Sequence, residues 1–174
     1  MKILDKDFYA APATDLAPRL LGKWLCRRQT DGTVLRRRIT ETECYFGEED
    51  TACHAHKGRT RRTDTLYLAG GVTYVYLCYG IHALLNVVTG EREHPEAVLV
   101  RGVEGASGPG RVTKAMGIAC ADNRLPLAPE GGIWIEDDGT PSPDFIASPR
   151  VGIDYASEAD RLRPWRYMVS ENNE

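Results

Sequence analysis

Acidic and aromatic side chains alternate with small polar ones between residues 39 and 45, in the segment ITETECY. If this segment is an extended strand, Ile39, Glu41, Glu43 and Tyr45 lie on one face and the intervening residues lie on the other. A buried carboxylate must be paired, solvated or part of a reactive site. The alternative is an edge strand with one solvated face, and this segment alone supports the two equally.

A metal site is the first chemistry that could use these residues. His54 and His56, together with Glu43 and with Cys53 as a further donor, carry the atoms that zinc prefers. Zinc sites usually add further ligands at a recognisable spacing, and the sequence shows none. A metal centre is therefore the less favoured interpretation.

A cysteine nucleophile and a carboxylate base are the other two possibilities. Cys44 or Cys53 could act with His54, but adjacent residues of a strand point apart, which weakens the pairing. Alternatively, a carboxylate of the acidic face activates water beside a stacking pocket built from Tyr45, His54 and Tyr76. Only the carboxylate arrangement uses both the acidic and the aromatic residues.

A hairpin is predicted to position the acidic face. Residues 23–28 and 35–45 are predicted strands, and Asp31-Gly32 between them is a strong turn signal. Residues 47–66, which follow, are polar and contain glycine. They are predicted as a long loop, and such loops in compact domains tend to be functional or disordered.

Two short helices are predicted on either side of the central strands. The first, LAPRLL, has Thr14 or Asp15 as its N-cap, Pro18 in its first turn and Gly22 at its end. The second spans residues 111–118 after SGPG, and its N-terminal amides could hold an anion such as phosphate. A glycine turn before a helix is common, so this signal is weak.

Further strands are predicted from apolar runs at 72–79, 84–89, 97–103 and 133–136, with a strand-like run at 148–154. In the first of these, Tyr74 and Tyr76 share one face and Tyr79 lies on the other. Dense tyrosines ordinarily pack a sheet face. Asn86 and Arg101 are polar residues on apolar strands, and several such groups that converge mark a site.

Length and composition are those of an ordinary globular domain. The chain has 174 residues, of which 42% are hydrophobic and 27% are charged, and no membrane span is visible. The N-terminus, MKILDKDFYA, lacks the apolar core of a secretory signal, so cytoplasm is the expected location. The five cysteines are odd in number and contain no CxxC pair, which argues against a disulfide framework and against a zinc ribbon.

The overall charge does not favour a nucleic-acid partner, because the formal net charge is -3 and such domains are typically basic. Overall charge averages over faces, however. The segment KGRTRR, residues 57–62, follows the acidic strand directly and could form part of a basic face. A charge run is more often a solvated loop.

Five sequence blocks run in order from about Leu20 to the C-terminal region: RITETECYFGEEDTACHAHKGRT, YVYLCYGIHALLNVVT, AVLVRGVEG, GPGRVTKAMGI and SPRVGIDYA. Together they resemble the alkyladenine (3-methyladenine) DNA glycosylase family of mammalian type, which also occurs in bacteria. The resemblance implies an α+β fold, a single mixed domain over residues 1–174 with a curved antiparallel β-sheet flanked by short helices. Residues 171–174 are predicted to be a frayed tail.

The resemblance also implies a reaction, in which a damaged purine nucleotide is flipped out of duplex DNA and its N-glycosylic bond is hydrolysed. Glu43 corresponds to the general base and Glu41 to its structural neighbour. Arg101 matches the arginine that helps to hold the attacking water, and its charge would favour ionised Glu43. The main chain near Val151 would complete the shell of that water.

The base pocket follows from the same resemblance. Tyr45, His54 and Tyr76 match the residues that sandwich the flipped base, and Asn86 matches the residue that crowds the 2-amino group of guanine. Tyr79 matches the wedge that enters the minor groove. Because Tyr76 and Tyr79 are predicted on opposite faces of one strand, that strand would serve both the pocket and the gap in the duplex.

The implied partner is double-stranded DNA that contains damaged purines, such as 3-methyladenine, hypoxanthine or ethenoadenine. Six basic residues are candidates for contacts with the DNA backbone: Lys57, Arg59, Arg61, Arg62, Arg111 and Lys114. The implied enzyme is a monomer at the bacterial nucleoid with no cofactor and no metal. Since no lysine occupies a pocket position, it is expected to be monofunctional, without Schiff-base lyase activity.

Two other classes stay open: a DNA-binding module that kept the pocket but lost catalysis, and a metal-dependent small-molecule hydrolase. The presence of both Glu43 and Arg101 favours the enzyme. The chain departs from the family pattern at Cys44 and Cys53, where small residues are usual, and at His82 after the wedge segment. The acidic balance predicts weak, salt-sensitive DNA binding through KGRTRR.

Overall fold

This computed structural model describes residues 1–170. They contain ten strands and four short α-helices. The strands are β1 (Lys2–Ile3), β2 (Trp24–Arg28), β3 (Val34–Phe46), β4 (Thr73–Cys78), β5 (His82–Val88), β6 (Glu96–Val103), β7 (Ala106–Ser107), β8 (Ile133–Asp137), β9 (Phe145–Ser148) and β10 (Arg166–Val169). The helices are α1 (Lys6–Tyr9), α2 (Ala13–Arg19), α3 (Pro109–Met116) and α4 (Glu158–Leu162). Short 3-10 helices span His54–Lys57, Asp64–Tyr67, Cys120–Asp122 and Pro129–Gly131. The predicted tail at 171–174 lies outside the described residues.

The strands form one antiparallel sheet in the order β1-β8-β2-β3-β6-β5-β4. The long strand β3 joins its two halves, because its first residues pair with β2 along one edge and its last residues pair with β6 along the opposite edge. Along the edge that β6 leaves free, residues 41–43 of β3 pair with β10, which in turn pairs with β9. The predicted α+β fold with an antiparallel sheet and short helices is confirmed.

The predicted hairpin is confirmed as the β2–β3 pair. Asp31 Oδ1 accepts hydrogen bonds from the main-chain N–H and the hydroxyl of Thr33 at 2.9 and 2.6 Å. Gly32 adopts a φ of 85°, which a side chain would disfavour. These local bonds close the turn and set the register in which Trp24 lies opposite Arg38.

An apolar core lies between the sheet and helices α2 and α3. Leu16 and Leu20 are fully buried in it against Ile39 of β3, and Met116 enters from α3. Burying a side chain of this size contributes about 1.5 to 3 kcal/mol. The Thr42 hydroxyl donates to the carbonyl of Ala17 at 2.7 Å, which ties α2 to the same face of β3.

Two opposed bulges interrupt the pairing of β3 with β6. Thr40 is an extra residue on β3, and Arg101 is an extra residue on β6, on either side of the paired Glu41 and Gly102. An extra residue changes which face the following side chains occupy. Arg101 shares the face of Leu99, which lies opposite Glu43, and beyond the bulge Val103 returns to the core that Val98 and Val100 occupy.

Because of the bulges, the side chains along β3 do not alternate as predicted. Ile39 was expected to share a face with Glu41, Glu43 and Tyr45, and this prediction is wrong. Ile39 lies in the apolar core with Cys44, while the other three lie on the opposite face. Strict alternation assumes an uninterrupted strand, and the bulge at Thr40 breaks it.

Helix α2 begins earlier than predicted. Pro12 is its N-cap residue, so neither Thr14 nor Asp15 has that role, and Pro18 lies near the end of the helix instead of in its first turn. The fixed φ of Pro12 is compatible with the extended conformation of a cap, φ -60° and ψ 149°, which starts the helix before the first polar cap candidate. The helix ends at Arg19, before Gly22.

The C-terminal region also differs from the prediction. The strand expected over residues 148–154 ends at Ser148, and residues 149–154 form turns and bends instead. Pro149 and Gly152, which has a φ of 73°, both interrupt a regular strand. No helix within residues 1–170 is both long and apolar enough to cross a membrane.

Candidate active site

One row of directly opposite residues crosses five strands and forms the floor of the candidate site. The row runs from Tyr74 on β4 through Asn86, Leu99 and Glu43 to Arg166 on β10. Side chains in such a row lie on the same face of a sheet. Since Asn86 and Glu43 are two strands apart, the ordinary strand spacing separates them by about 10 Å.

Glu43 is completely buried in the middle of this row, and both of its oxygens are held. Oε1 accepts a hydrogen bond from the main-chain N–H of Val151 at 2.8 Å, and Oε2 accepts one from the Tyr45 hydroxyl at 2.8 Å. Arg101 Nε lies 3.5 Å from Oε1. The Val151 N–H is therefore occupied by Glu43 itself.

The electrostatic environment of Glu43 favours proton uptake relative to an exposed glutamate. Burial raises the pKa of Glu43, and the charge of Arg101 and the hydrogen bonds from Val151 and Tyr45 oppose this rise without cancelling it. A general base works best when its pKa approaches the working pH. Glu43 therefore has the burial and the partners of a reactive carboxylate.

Glu41 and two arginines form an ion-pair cluster beside Glu43. Glu41 Oε1 accepts from Arg101 Nε at 3.1 Å and from Arg166 Nε at 2.6 Å. Arg101 is thus shared between the two glutamates and lies nearer to Glu41. This arrangement fixes the orientation of the Arg101 guanidinium.

Three aromatic rings cluster at the other end of the row. His54 starts a 3-10 helix, and its Nδ1 lies 3.0 Å from the Tyr74 hydroxyl. Its ring centroid lies 4.5 Å from that of Tyr76 at an interplanar angle of 68°. Burial, with a smaller contribution from the charge of Arg62, lowers the pKa of His54 to about 4, so the imidazole is neutral at pH 7.

A cleft of about 1170 Å³ opens in front of Glu43. All the other sequence-predicted pocket, wedge and water-positioning residues line it: Tyr45, His54, Tyr76, Tyr79, Asn86, Arg101 and Val151. The volume exceeds the roughly 300 to 1000 Å³ of ordinary small-ligand sites. Glu43 itself does not line the cleft, but the three groups that surround its carboxylate, from Tyr45, Arg101 and Val151, belong to the cleft wall.

Tyr79 stands at the rim of the cleft on the β4–β5 turn. It is 91% exposed and has a φ of 52°, and Gly80 follows at 67°. A tyrosine in the left-handed region is uncommon and points to a functional constraint. Because β4 ends at Cys78, Tyr79 is not on the strand with Tyr76, and the prediction that they occupy its two faces is wrong.

Half of the six predicted backbone-contact residues line the cleft. These are Arg62, Arg111 and Lys114. Arg62 places its guanidinium carbon 5.2 Å from the centre of the Tyr76 ring. Lys57 and Arg61 are exposed on the same loop as Arg62 but do not line the cleft.

Arg59 is less suited to contact DNA than the other five candidates. Its guanidinium forms ion pairs with Asp64 and Glu93, each at 2.7 Å, and lies 4.9 Å from the centre of the Tyr67 ring. An arginine that is already paired with two carboxylates contributes little net positive charge at that place. The segment KGRTRR is therefore less basic in the fold than in the sequence.

The metal and cysteine alternatives receive no support from side-chain placement. Within the described chain, no three His, Cys, Asp or Glu side chains gather as a ligand set, and His56 Nδ1 lies 2.6 Å from the Glu48 carbonyl. Cys44 faces the core. Burial raises the pKa of Cys53 to about 12, so its thiolate does not form near neutral pH.

Arg150 and Arg166 contact the site but are absent from the sequence-based predictions. Arg150 forms an ion pair with Asp50, at a sequence separation of 100 residues, and Arg166 lies on a strand that no local pattern indicated. The available signal for Arg150 was its position next to Val151. Neither contact can be read from one sequence without the pairing of distant segments.

Comparisons with known proteins agree with the resemblance noted in the sequence. A family model described as methylpurine-DNA glycosylase matches residues 7–107 and 104–173. A Psychrobacter cryohalolentis protein provisionally named 3-methyladenine DNA glycosylase is 42% identical, over 98% of this chain and 93% of that protein. Proteins with the same provisional name from Methanocella arvoryzae and Nitrosococcus oceani are 42% and 41% identical, over 96% and 98% of this chain and 92% and 91% of their own lengths.

Proposed function

The chain belongs to the methylpurine-DNA glycosylase family, and we propose that it is a monofunctional DNA repair glycosylase that excises 3-methyladenine from duplex DNA. Hypoxanthine and ethenoadenine are further expected substrates. One observation carries the proposal: Glu43, a buried carboxylate beside Arg101, lies directly behind a cleft lined with aromatic rings. The aromatic rings suit a planar base, and the carboxylate suits the hydrolysis of the bond that holds it.

In the proposed reaction, Glu43 accepts a proton from water as the water oxygen forms a bond to C1′ of the nucleotide. The bond between C1′ and the purine nitrogen breaks, and its electron pair leaves with the base. The transition state carries positive charge on the sugar, as in glycoside hydrolysis, and the carboxylate stabilises that charge. A cationic alkylated purine needs no acid to depart, because it leaves as a neutral base.

The damaged nucleotide must leave the helix to reach Glu43. Base extrusion costs a few kcal/mol, least for a damaged or mispaired base, and stacking on an aromatic ring returns about 1 to 3 kcal/mol. Tyr45, His54 and Tyr76 are proposed to supply this stacking. Tyr79 is proposed to fill the gap in the duplex from its exposed turn, and Asn86 to exclude guanine.

The proposed DNA path crosses the cleft between the loop that carries Arg62 and helix α3, which carries Arg111 and Lys114. The protein is expected to act as a monomer in the cytoplasm, on nucleoid DNA. Light scattering that showed a stable dimer would contradict the first expectation. Imaging of a tagged chain that did not follow the nucleoid would contradict the second.

A strand-cleavage assay tests the proposed reaction. A labelled duplex with one hypoxanthine or one ethenoadenine is incubated with protein and treated with alkali, with and without a chelator. In parallel, 3-methyladenine release is measured from alkylated DNA. We expect chelator-resistant abasic sites from the wild type and none above background from Glu43→Gln.

The possible failures have different meanings. Tight binding to lesion-containing duplex without release of any base would identify a binding module. Activity that the chelator abolishes would identify metal-dependent chemistry and contradict the role of Glu43 as described. Strand breaks formed without alkali would contradict the assignment as a monofunctional enzyme.

A further inference from the structure

A single buried guanidinium, that of Arg150, connects the groups that hold Glu43. Its side chain is completely buried. Two of its nitrogens donate to the two oxygens of Asp50 at 2.7 and 2.9 Å, and one also donates to the Cys44 carbonyl at 2.9 Å. This bidentate geometry fixes both the position and the plane of the guanidinium.

Both oxygens of Glu43 depend on neighbours of this guanidinium. Val151, whose N–H binds Oε1, is the next residue after Arg150. Tyr45, whose hydroxyl binds Oε2, has its ring centre 4.9 Å from the Arg150 guanidinium carbon. Cys44, whose carbonyl Arg150 binds, directly follows Glu43 in the chain.

The geometry points to Arg150 as a positioning residue that holds Glu43 in its reactive arrangement through Val151, Tyr45 and the β3 main chain. This inference rests on the proposed function of the site. Arg150 does not line the cleft and touches no reacting atom, so its effect would be indirect. A displacement of about 1 Å at a reacting group can cost about 100-fold in rate.

Simple stabilisation is the competing explanation for the Arg150–Asp50 pair. A buried ion pair is weak evidence for stability, because desolvation offsets much of the attraction. What the pair does provide is a rigid link between the turn at residues 149–152 and the end of strand β3, because Arg150 also binds the Cys44 carbonyl and Asp50 accepts from the Phe46 N–H at 3.1 Å. The Trp165 ring, 5.0 Å from the guanidinium carbon, completes the packing around it.

Arg150→Lys tests this inference with the charge retained and the bidentate geometry removed. The matched control is Arg27→Lys, since Arg27 also forms a partly buried pair with a distant aspartate, Asp122, away from the cleft. We expect the single-turnover excision rate to fall about 10- to 100-fold in Arg150→Lys and to stay unchanged in Arg27→Lys. Affinity for a lesion-containing duplex should stay close to that of the wild type.

The titration of Glu43 provides a second measurement that needs no activity. Arg101 from β6, Tyr45 on β3 and Arg150 from the turn act most strongly on this carboxyl. The other charged or titratable groups near it are Glu41, which shares Arg101, Arg166, which lies opposite Glu43 on β10, and Tyr155. Carbon-13 spectra of glutamate-labelled protein should show Glu43 titrating at higher pH in Arg150→Lys, because the Val151 hydrogen bond that favours the ionised form is weakened. Arg27→Lys should titrate like the wild type.

The outcomes separate this inference from the proposed function. An inactive wild type whose Glu43 titration still shifts in Arg150→Lys would contradict the glycosylase proposal and retain the positioning role. An active wild type with equal rates and equal titration in both variants would overturn the positioning role. Equal losses of folding stability in the two variants, with unequal rates, would support it.

Discussion

The two halves of the sheet each contain a buried glutamate with an aromatic donor and an arginine, and the two carboxylates behave oppositely. Glu43 accepts from the Tyr45 hydroxyl at 2.8 Å, and Glu136 accepts from Trp134 Nε1 at 2.8 Å. Burial is the largest single influence on the pKa of each, and it acts upward. The pKa of Glu43 is raised, whereas that of Glu136 is lowered.

Depth and the sharing of an arginine explain the difference. Arg36 Nε donates to Glu136 at 3.1 Å, and the charge of Arg36 together with the hydrogen bonds from Arg36, Trp134 and Cys26 outweighs burial. Arg101 stands 3.5 Å from Glu43 and is closer to Glu41, so Glu43 receives only part of its stabilisation. The same residue types therefore give a carboxylate with a lowered pKa in one half of the sheet and a carboxylate with a raised pKa in the other.

Replacing each glutamate by glutamine tests the difference between Glu43 and Glu136, and the largest expected effect is on the excision rate. Removal of a general base typically costs about 10²- to 10⁴-fold, and we expect a loss of this size in Glu43→Gln. Glu136→Gln should excise at the wild-type rate, because Glu136 does not line or adjoin the cleft. Single-turnover kinetics on a hypoxanthine duplex measure both. Equal losses in the two variants would remove the distinction.

The effects of the two substitutions on folding stability should have the reverse order, with the larger loss in Glu136→Gln. The raised pKa means that ionised Glu43 lowers folded-state stability at neutral pH, and this penalty disappears as the pH falls through the raised value. Glu43→Gln should therefore be at least as stable as the wild type at pH 7. Glu136→Gln should lose about 1 to 3 kcal/mol, since it leaves buried donors poorly paired.

The pH dependence of unfolding sharpens this prediction. Because the pKa of Glu136 is lowered, its stabilisation is fully present above its ordinary value near 4.5 and is lost as the pH falls through the lowered value. The stability difference between the wild type and Glu136→Gln should thus shrink in acid. Urea titrations at several pH values measure it. A difference that grew in acid would contradict the contrast drawn between the two carboxylates.

The smallest expected effect is on the salt dependence of DNA binding by surface arginines. Here too, an arginine held in ion pairs is compared with one that lines the cleft. Arg59 is paired with Asp64 and Glu93, while Arg111 lines the cleft. Removing one arginine–phosphate ion pair should lower the slope of log affinity against log salt by about 0.9. We expect this change in Arg111→Gln and none in Arg59→Gln, measured by fluorescence anisotropy with duplex DNA.

Much of the site was predictable because its residues sit on strands with strong local signals. The hairpin of β2 and β3 follows from Asp31-Gly32, and β4, β5 and β6 follow from apolar runs that carry Tyr76, Asn86 and Arg101. All three side chains line the cleft.

The features that escaped prediction are non-local. The bulge at Thr40 depends on pairing with β6, and no residue within β3 announces it. Arg150 meets Asp50 and Arg166 meets Glu41 only after distant segments have come together. A single sequence contains both members of such a pair without indicating that they are partners.

The opposed bulges have a consequence for how this chain can change in length. Deleting Thr40 alone would make Ile39 and Glu41 neighbours, still opposite Val103 and Gly102, with Ile39 in the core and Glu41 on the acidic face. Deleting one residue between Glu41 and Tyr45 would instead turn one of these two side chains to the wrong face of the sheet. A lineage could therefore lose a residue at the bulge and keep the site, but it could not lose one within the acidic row.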